Sequence, residues 1–260
     1  MKWLIKNKYT KTILFLLILL VTWEIVVRAK IFSPVIFPPL HNIANSLVKE
    51  IINGEMFIKT GYTLYLVLLG IGVSIFIAAI LTVLSSLNQT ARDIIDSITA
   101  LVNPIPSIAL LPLAILWFGI GEASMIFVII HAVLWPILLN ITAGFRSVPP
   151  IFTDIGRNIG LSSSRLALGV FLPASFPHIF VGLRTGWARA WRAAISAEMV
   201  FGAVGIVGGL GWDIYKKRSF LDVPGMYATL VVIMLIGLLI EEGLFKVLET
   251  KTVKKWGMVQ

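Results

Sequence analysis

Apolar residues arrive in six long runs, Thr12 to Val27, Tyr62 to Leu87, Ile98 to Phe118, Ala123 to Phe145, His178 to Val200 and Tyr227 to Phe245, with most charges between them. A helix needs about 20 apolar residues to cross a bilayer, so each run reads as a span. The first run is short, which leaves Lys11 and Arg28 to snorkel to the two surfaces. Between the first two runs the pattern changes. Pro34, Pro38 and Pro39 forbid a continuous helix, and Leu40, Ile43, Ala44, Leu47, Val48, Ile51 and Ile52 then draw one apolar stripe that ends near Gly54. That predicts an amphipathic helix along the outer membrane face or against the bundle. The fold class is therefore all-α, a polytopic membrane protein with six transmembrane helices.

Composition agrees with the pattern. A chain of 260 residues that is 58% hydrophobic and 13% charged exceeds what one water-soluble core can bury. The absence of cysteine removes disulfides, thiolate metal sites and cysteine nucleophiles together. A net charge of +9 would suggest nucleic acid in a soluble protein. Here the basic residues flank apolar runs and set orientation instead, so no nucleic-acid partner is expected. Lys2, Lys6, Lys8 and Lys11 precede the first run without a small-x-small cleavage site after it, so that run is expected to be retained. With six spans, both termini share a side. That side carries twelve Lys and Arg (these four, Arg92, Arg146, Arg157, Arg165, Lys246, Lys251, Lys254 and Lys255), against seven opposite. The excess makes both termini cytoplasmic. The chain then divides into a basic N-terminus (1–11), span one (12–27), an external segment with the amphipathic helix (28–61), a five-span core with a cytoplasmic loop at 150–175 (62–245) and a cytoplasmic tail (246–260).

Several spans carry polar or irregular features. Pro104, Pro106, Pro112 and Pro136 are expected to break the helical ladder of the third and fourth spans, as happens where a helix lines a path. In the fifth span, Arg184, Trp187, Trp191 and Glu198 fall on one helical face, with Arg189 and Arg192 on a second. A charge at mid-bilayer costs about 2.5 to 3.5 kcal/mol, so these groups should face the bundle interior or water. One reading makes Arg184, Trp187, Trp191, Arg192 and Glu198 a wall of a path for small anions. The other is structural, with Arg192 and its neighbours paired to Glu24, Glu198 or helix ends and Arg184 snorkelling toward the cytoplasm. The glycines from Gly202 to Gly211 lack a following Gly-Lys-Ser or Gly-Lys-Thr, which favours a flexible outer loop or a close helix crossing over a nucleotide site. His41, His131 and His178 are isolated and read as packing or helix-surface residues.

The loop from Asp154 to Ala174 is the most informative stretch. Gly160 permits a helix to end in the left-handed conformation, so that Leu161, Leu166 and Leu168 present an apolar face to a partner. Ser162 or Ser163 can cap the next short helix, and Pro173 and Pro177 bracket the start of the fifth span. An ordinary inter-span loop with a helical turn is the alternative.

Gly160, the nine residues after it and the closing Val170-Phe171-Leu172-Pro173 resemble the cytoplasmic "EAA" loop of ABC-importer permeases, with Asp154-Ile155-Gly156 where Glu-Ala-Ala is usual. Pro106 to Glu122, Gly182-Leu183-Arg184 to Met199 and Gly209-Leu210-Gly211 are similar to the nitrate, sulfonate and taurine branch of that family. The resemblance implies a permease subunit of the bacterial cytoplasmic membrane, homodimeric, without an ATPase site or cofactor of its own. A separate cytoplasmic ATPase would carry ATP and Mg and dock on Asp154, Gly156, Gly160, Leu161, Ser162, Leu166, Leu172 and Pro173. A soluble extracytoplasmic binding protein would deliver a small anion such as an aliphatic sulfonate, taurine or nitrate, although the branch also includes importers of thiamine or riboflavin precursors. The competing classes are an ion-coupled secondary carrier, for which Glu198 is the candidate acidic residue, and an integral membrane enzyme, for which no His, Asp or Ser constellation is present.

Overall fold

A computed structural model describes residues 8–33, 35–202 and 208–254. Lys2, Lys6, Pro34, Gly205 and Lys255, used in the sequence reading, lie outside the described residues. Helix α1 (Lys8–Arg28) exposes its apolar side chains from Ile13 to Val21, the surface expected against lipid. It joins the bundle through Trp23, whose ring stacks on Phe37 at 3.7 Å and whose Nε1 donates to the Pro38 carbonyl at 3.0 Å. The amphipathic helix is present as α2 (Leu40–Ile52), and it packs against α3 (Glu55–Leu87) and the helix Val223–Leu238. Gly54, at φ 76°, makes the turn between α2 and α3.

The third predicted span is not one helix. Helix α4 (Gln89–Val102) stops before Asn103, and a 3-10 turn (Ser107–Leu110) leads into α5 (Leu111–Phe118) after a bend of 92°. Pro104 and Pro106 sit in the bend and have no N–H to continue the ladder. The other two prolines correct the expectation of breaks. Pro112 occupies the first turn of α5, where a missing N–H costs nothing, and α6 (Glu122–Arg146) runs unbroken through Pro136.

Beyond α6 come α7 (Pro150–Asn158), α8 (Ser163–Leu166), a π-widened turn (Ala167–Phe171) and α9 (Leu172–Ala174). A 61° bend then leads into α10 (Phe176–Phe201). Helix α11 (Leu210–Ser219) precedes α12 (Val223–Leu238), which continues through a π-helical stretch (Leu239–Phe245) into α13 (Lys246–Glu249). Among the described residues four helices are long and apolar enough to cross a membrane, and the two bent pairs raise that to six.

The centre of the bundle is α6 packed between α3 and α10. Leu66, Val67, Met125, Ile129, Val133, Ala190, Ala194 and Ala197 are fully buried there. Gly182, Gly186, Ala190 and Ala194 recur at every fourth residue, so α10 turns a smooth face of small residues to α6. A β-carbon at Gly182 would stand 2.9 Å from that of Asn140. This ladder was present in the sequence and is what lets α10 carry large charged residues on its other faces.

Candidate functional site

Two features of the bundle have the makings of function. The first is the segment between α6 and α10. Gly160 lies at φ 77°, with its N–H on the Arg157 carbonyl at 3.0 Å and the Leu161 N–H on the Gly156 carbonyl at 2.9 Å. Those two bonds form a Schellman cap, so the expected left-handed helix end is present. Ser162 Oγ accepts from the Arg165 N–H at 3.4 Å. The apolar face differs from the one expected. Leu166 is buried over Gly156, where a β-carbon would stand 2.6 Å from Leu166 Cδ1, and Leu161 closes the same contact from 3.5 Å. Leu166 and Leu161 thus hold the turn together from inside, and of that trio only Leu168 is fully exposed. The outward apolar face belongs to α7, where Ile151, Phe152, Ile155 and Ile159 are all at least half exposed beside exposed Asp154. Leu172 and Pro173 are exposed in α9. The segment is moored at both ends, by Arg146 on Asp96 of α4 and by Phe145 stacked on Phe171 at 5.9 Å.

The second feature is a cavity of about 580 Å³ between α10, α6 and the bend after α4. Arg189, Arg192 and Ser196 line it from α10, His131 from α6, and Asn103 and Ile105 from the bend. Arg189 donates to Asn103 Oδ1 at 3.3 Å. Arg192 is exposed to the cavity and has no ion-pair partner among the described residues, so it is not paired with Glu24 or Glu198, whereas its neighbour Arg189 does meet a helix end, the C-cap Asn103 of α4. His131 is 8% exposed, and among the described residues neither ring nitrogen makes a hydrogen bond of ordinary geometry, although the Val102 backbone approaches the ring.

The cavity lies on the second face of α10 and not on the face read as a path wall from sequence. Trp187 and Trp191 stack at 5.8 Å, 15° from coplanar, and are buried in the core. Glu198 is fully buried, accepting from Gly211 N at 2.7 Å and from Thr63 Oγ1 at 3.1 Å. Arg184 sits where α10 passes the π-helical stretch Leu239–Phe245 and α13, with Glu242 and Glu249 each at 3.7 Å. Of the five residues read as a path wall, Arg192 alone lines this cavity. Helical spacing placed the two faces but could not say which one met a neighbour. Asn103, His131, Arg189 and Ser196 were not singled out for the path, and the one legible hint was the proline-bounded Asn103 opposite a doubly charged helix face.

A further polar cluster lies at the end of the bundle remote from Gly160. Asp213 receives Lys59 at 2.6 Å, Lys217 at 2.7 Å and the Thr229 hydroxyl at 2.6 Å, and Lys217 also pairs with Glu50. Burial works to raise the Asp213 carboxyl, but the bonds from Lys217, Lys59 and Thr229 outweigh it and hold its pKa below the ordinary value. Only the i, i+4 spacing of Asp213 and Lys217 was visible in the sequence.

A helical bundle with four to six candidate membrane crossings and a charged cavity, and a moored helical segment displaying an apolar face at one end, is the build of a membrane transport subunit. Residues 70–254 match the model of the binding-protein-dependent transport system inner membrane component, and the chain belongs to that family. It is 28% identical over 248 residues to the taurine transport system permease protein TauC of Escherichia coli, covering 94% of this chain and 89% of that one. Identity is 32% to a putative ABC transporter permease protein of Methanocaldococcus jannaschii, covering 86% and 84%. It is 33% to the nitrate import permease protein NrtB of a Synechocystis strain, covering 67% and 62%. The chain is thus a multi-pass permease subunit of an ABC importer of the inner membrane.

Proposed function

We propose that this permease carries a small anion inward, driven by a separate cytoplasmic ATPase that binds ATP and Mg and leans on the segment from Asp154 to Pro173. A soluble binding protein delivers cargo from outside, two copies of the chain surround the path, and both termini face the cytoplasm. The observation that carries this reading is the outward apolar face of Ile151, Phe152, Ile155 and Ile159 on a helix that ends in the rigid Gly160 cap. An exposed apolar patch on a water-facing segment fits a protein partner, and the moorings through Arg146 and Phe171 would pass its movement into α4, α6 and α10. Gly156, Gly160, Leu161, Ser162 and Leu166 shape that surface; Asp154, Leu172 and Pro173 lie on it. The anion is supported by relatives named for taurine, nitrate and aliphatic sulfonates.

The chain has no cysteine, so single-cysteine labelling is clean. Ser162→Cys should resist a membrane-impermeant maleimide in intact cells and react once the membrane is opened. Affinity capture of the full chain should bring down an ATP-hydrolysing subunit, and Ile155→Asp should release it. Labelling of Ser162→Cys from outside, or uptake by the chain alone in an ion gradient, overturns the reading.

A further inference from the structure

We infer that the cavity between α10 and the bend after α4 is a binding site in the permease itself for one small organic oxyanion, its charged head on Arg192 and its tail toward Ile105. The inference rests on the importer reading and adds to it, since cargo selection would otherwise belong to the delivering protein alone. Three observations support it.

Arg192 opens into the cavity near the middle of its helix with no counter-charge, although an unpaired cation at that depth is costly. A guanidinium is a planar fork of donors suited to the oxygens of a sulfonate or carboxylate. Next, Arg189, one turn away, is already held by Asn103 Oδ1, so its plane is oriented before any ligand arrives and its remaining N–H groups are free for a second oxygen. The third is His131. It is more than nine-tenths buried and lines the same cavity; both ring nitrogens are closed to solvent and unpartnered among the described residues, so a rotation of the ring that presented an N–H to an anion would remove that cost.

The opposite wall decides the ligand class. Pro104, Ile105, Pro106 and Ile108 form it with Ser107 among them, and the volume of about 580 Å³ leaves room beyond a charged head. A short apolar tail fills that wall, whereas a bare inorganic anion leaves it wet.

The test uses the full chain in lipid nanodiscs and equilibrium binding of radiolabelled ethanesulfonate, with nitrate, chloride and choline as competitors. Saturable binding is expected, displaced better by unlabelled ethanesulfonate than by nitrate and unaffected by choline. Arg192→Gln should weaken it at least about tenfold, the scale of one lost charge-assisted bond. His131→Phe should weaken it by a smaller factor, and Arg218→Gln, on the exposed end of α11, should leave it unchanged. Thermal unfolding of each variant shows that it is folded. ATPase capture is measured on the same preparations. A chain that captures its ATPase yet binds no ethanesulfonate, or binds it equally well as Arg192→Gln, overturns the site while leaving the importer reading intact. Tighter binding of nitrate than of ethanesulfonate overturns the assignment of an organic ligand. Binding without ATPase capture counts against the importer reading and not against the site.

Discussion

Thr63 and Glu198, 135 residues apart in sequence, meet in the core with the hydroxyl donating to the carboxyl at 3.1 Å while its oxygen accepts from the Leu210 N–H at 2.9 Å. The same carboxyl holds the Gly211 N–H, so α3, α10 and the start of α11 are fastened at one buried point. A β-carbon on Gly211 would stand 2.2 Å from the Ile195 carbonyl oxygen, which is why glycine occupies that crossing.

That fastening makes Glu198 a structural residue in this conformation. Glu198→Ala strips partners from two buried donors, each costing about 1 to 3 kcal/mol, and should lower the unfolding temperature in detergent by several degrees. Glu198→Gln, which keeps an acceptor of the same shape, should lose much less. Equal losses in the two variants would remove the hydrogen bonds as the cause.

Acid should loosen the far end of the bundle through Asp213. Its pKa is depressed in the folded protein, so its contribution is complete above the ordinary carboxylate range and disappears as pH falls through the folded value. Unfolding temperature measured from pH 7 down to pH 3 should fall for the wild type. Asp213→Asn should start lower and fall less. Parallel curves would show that another carboxyl is responsible.

Bulk at Gly160 should uncouple transport without preventing insertion. A β-branched residue at φ 77° is strained by roughly 1 to 2 kcal/mol, and the cap that sets the α7 face is lost with it. Gly160→Val should reach the membrane at near wild-type levels and show reduced ATPase capture. Gly156→Leu, which collides with Leu166, should do the same more severely. Normal capture by both would show that the partner does not use this turn.

Trp187 contributes packing and not a polar contact. Its Nε1 has no partner among the described residues and its ring is buried against Trp191. Trp187→Phe should therefore be nearly neutral, and Trp187→Ala should cost about 3 to 5 kcal/mol by leaving a cavity. Chemical denaturation in a mild detergent separates the two outcomes.

The apolar runs, the amphipathic α2 and the left-handed cap at Gly160 were legible because each depends on residues close together in the chain. Apolar periodicity fixes a helix face, and a glycine followed by a capping serine fixes a helix end. The 92° bend at Asn103 was half legible. Pro104 and Pro106 announced an interruption, but whether a proline breaks a helix is decided by what surrounds it, as the unbroken α6 at Pro136 demonstrates.

Sequence alone determined that this chain lives in a bilayer, that α10 carries charge on two faces and that a glycine-hinged segment follows the fourth span, since composition and spacing are properties of the chain itself. Tertiary structure decided which charged face lines a cavity, that Leu166 packs inward over Gly156 while α7 turns its isoleucines outward, and that His131 and Arg192 line one cavity. The reason is geometric. A helix repeats every 3.6 residues whatever its neighbours are, whereas a cavity or a buried ion pair exists only where elements far apart in sequence approach one another.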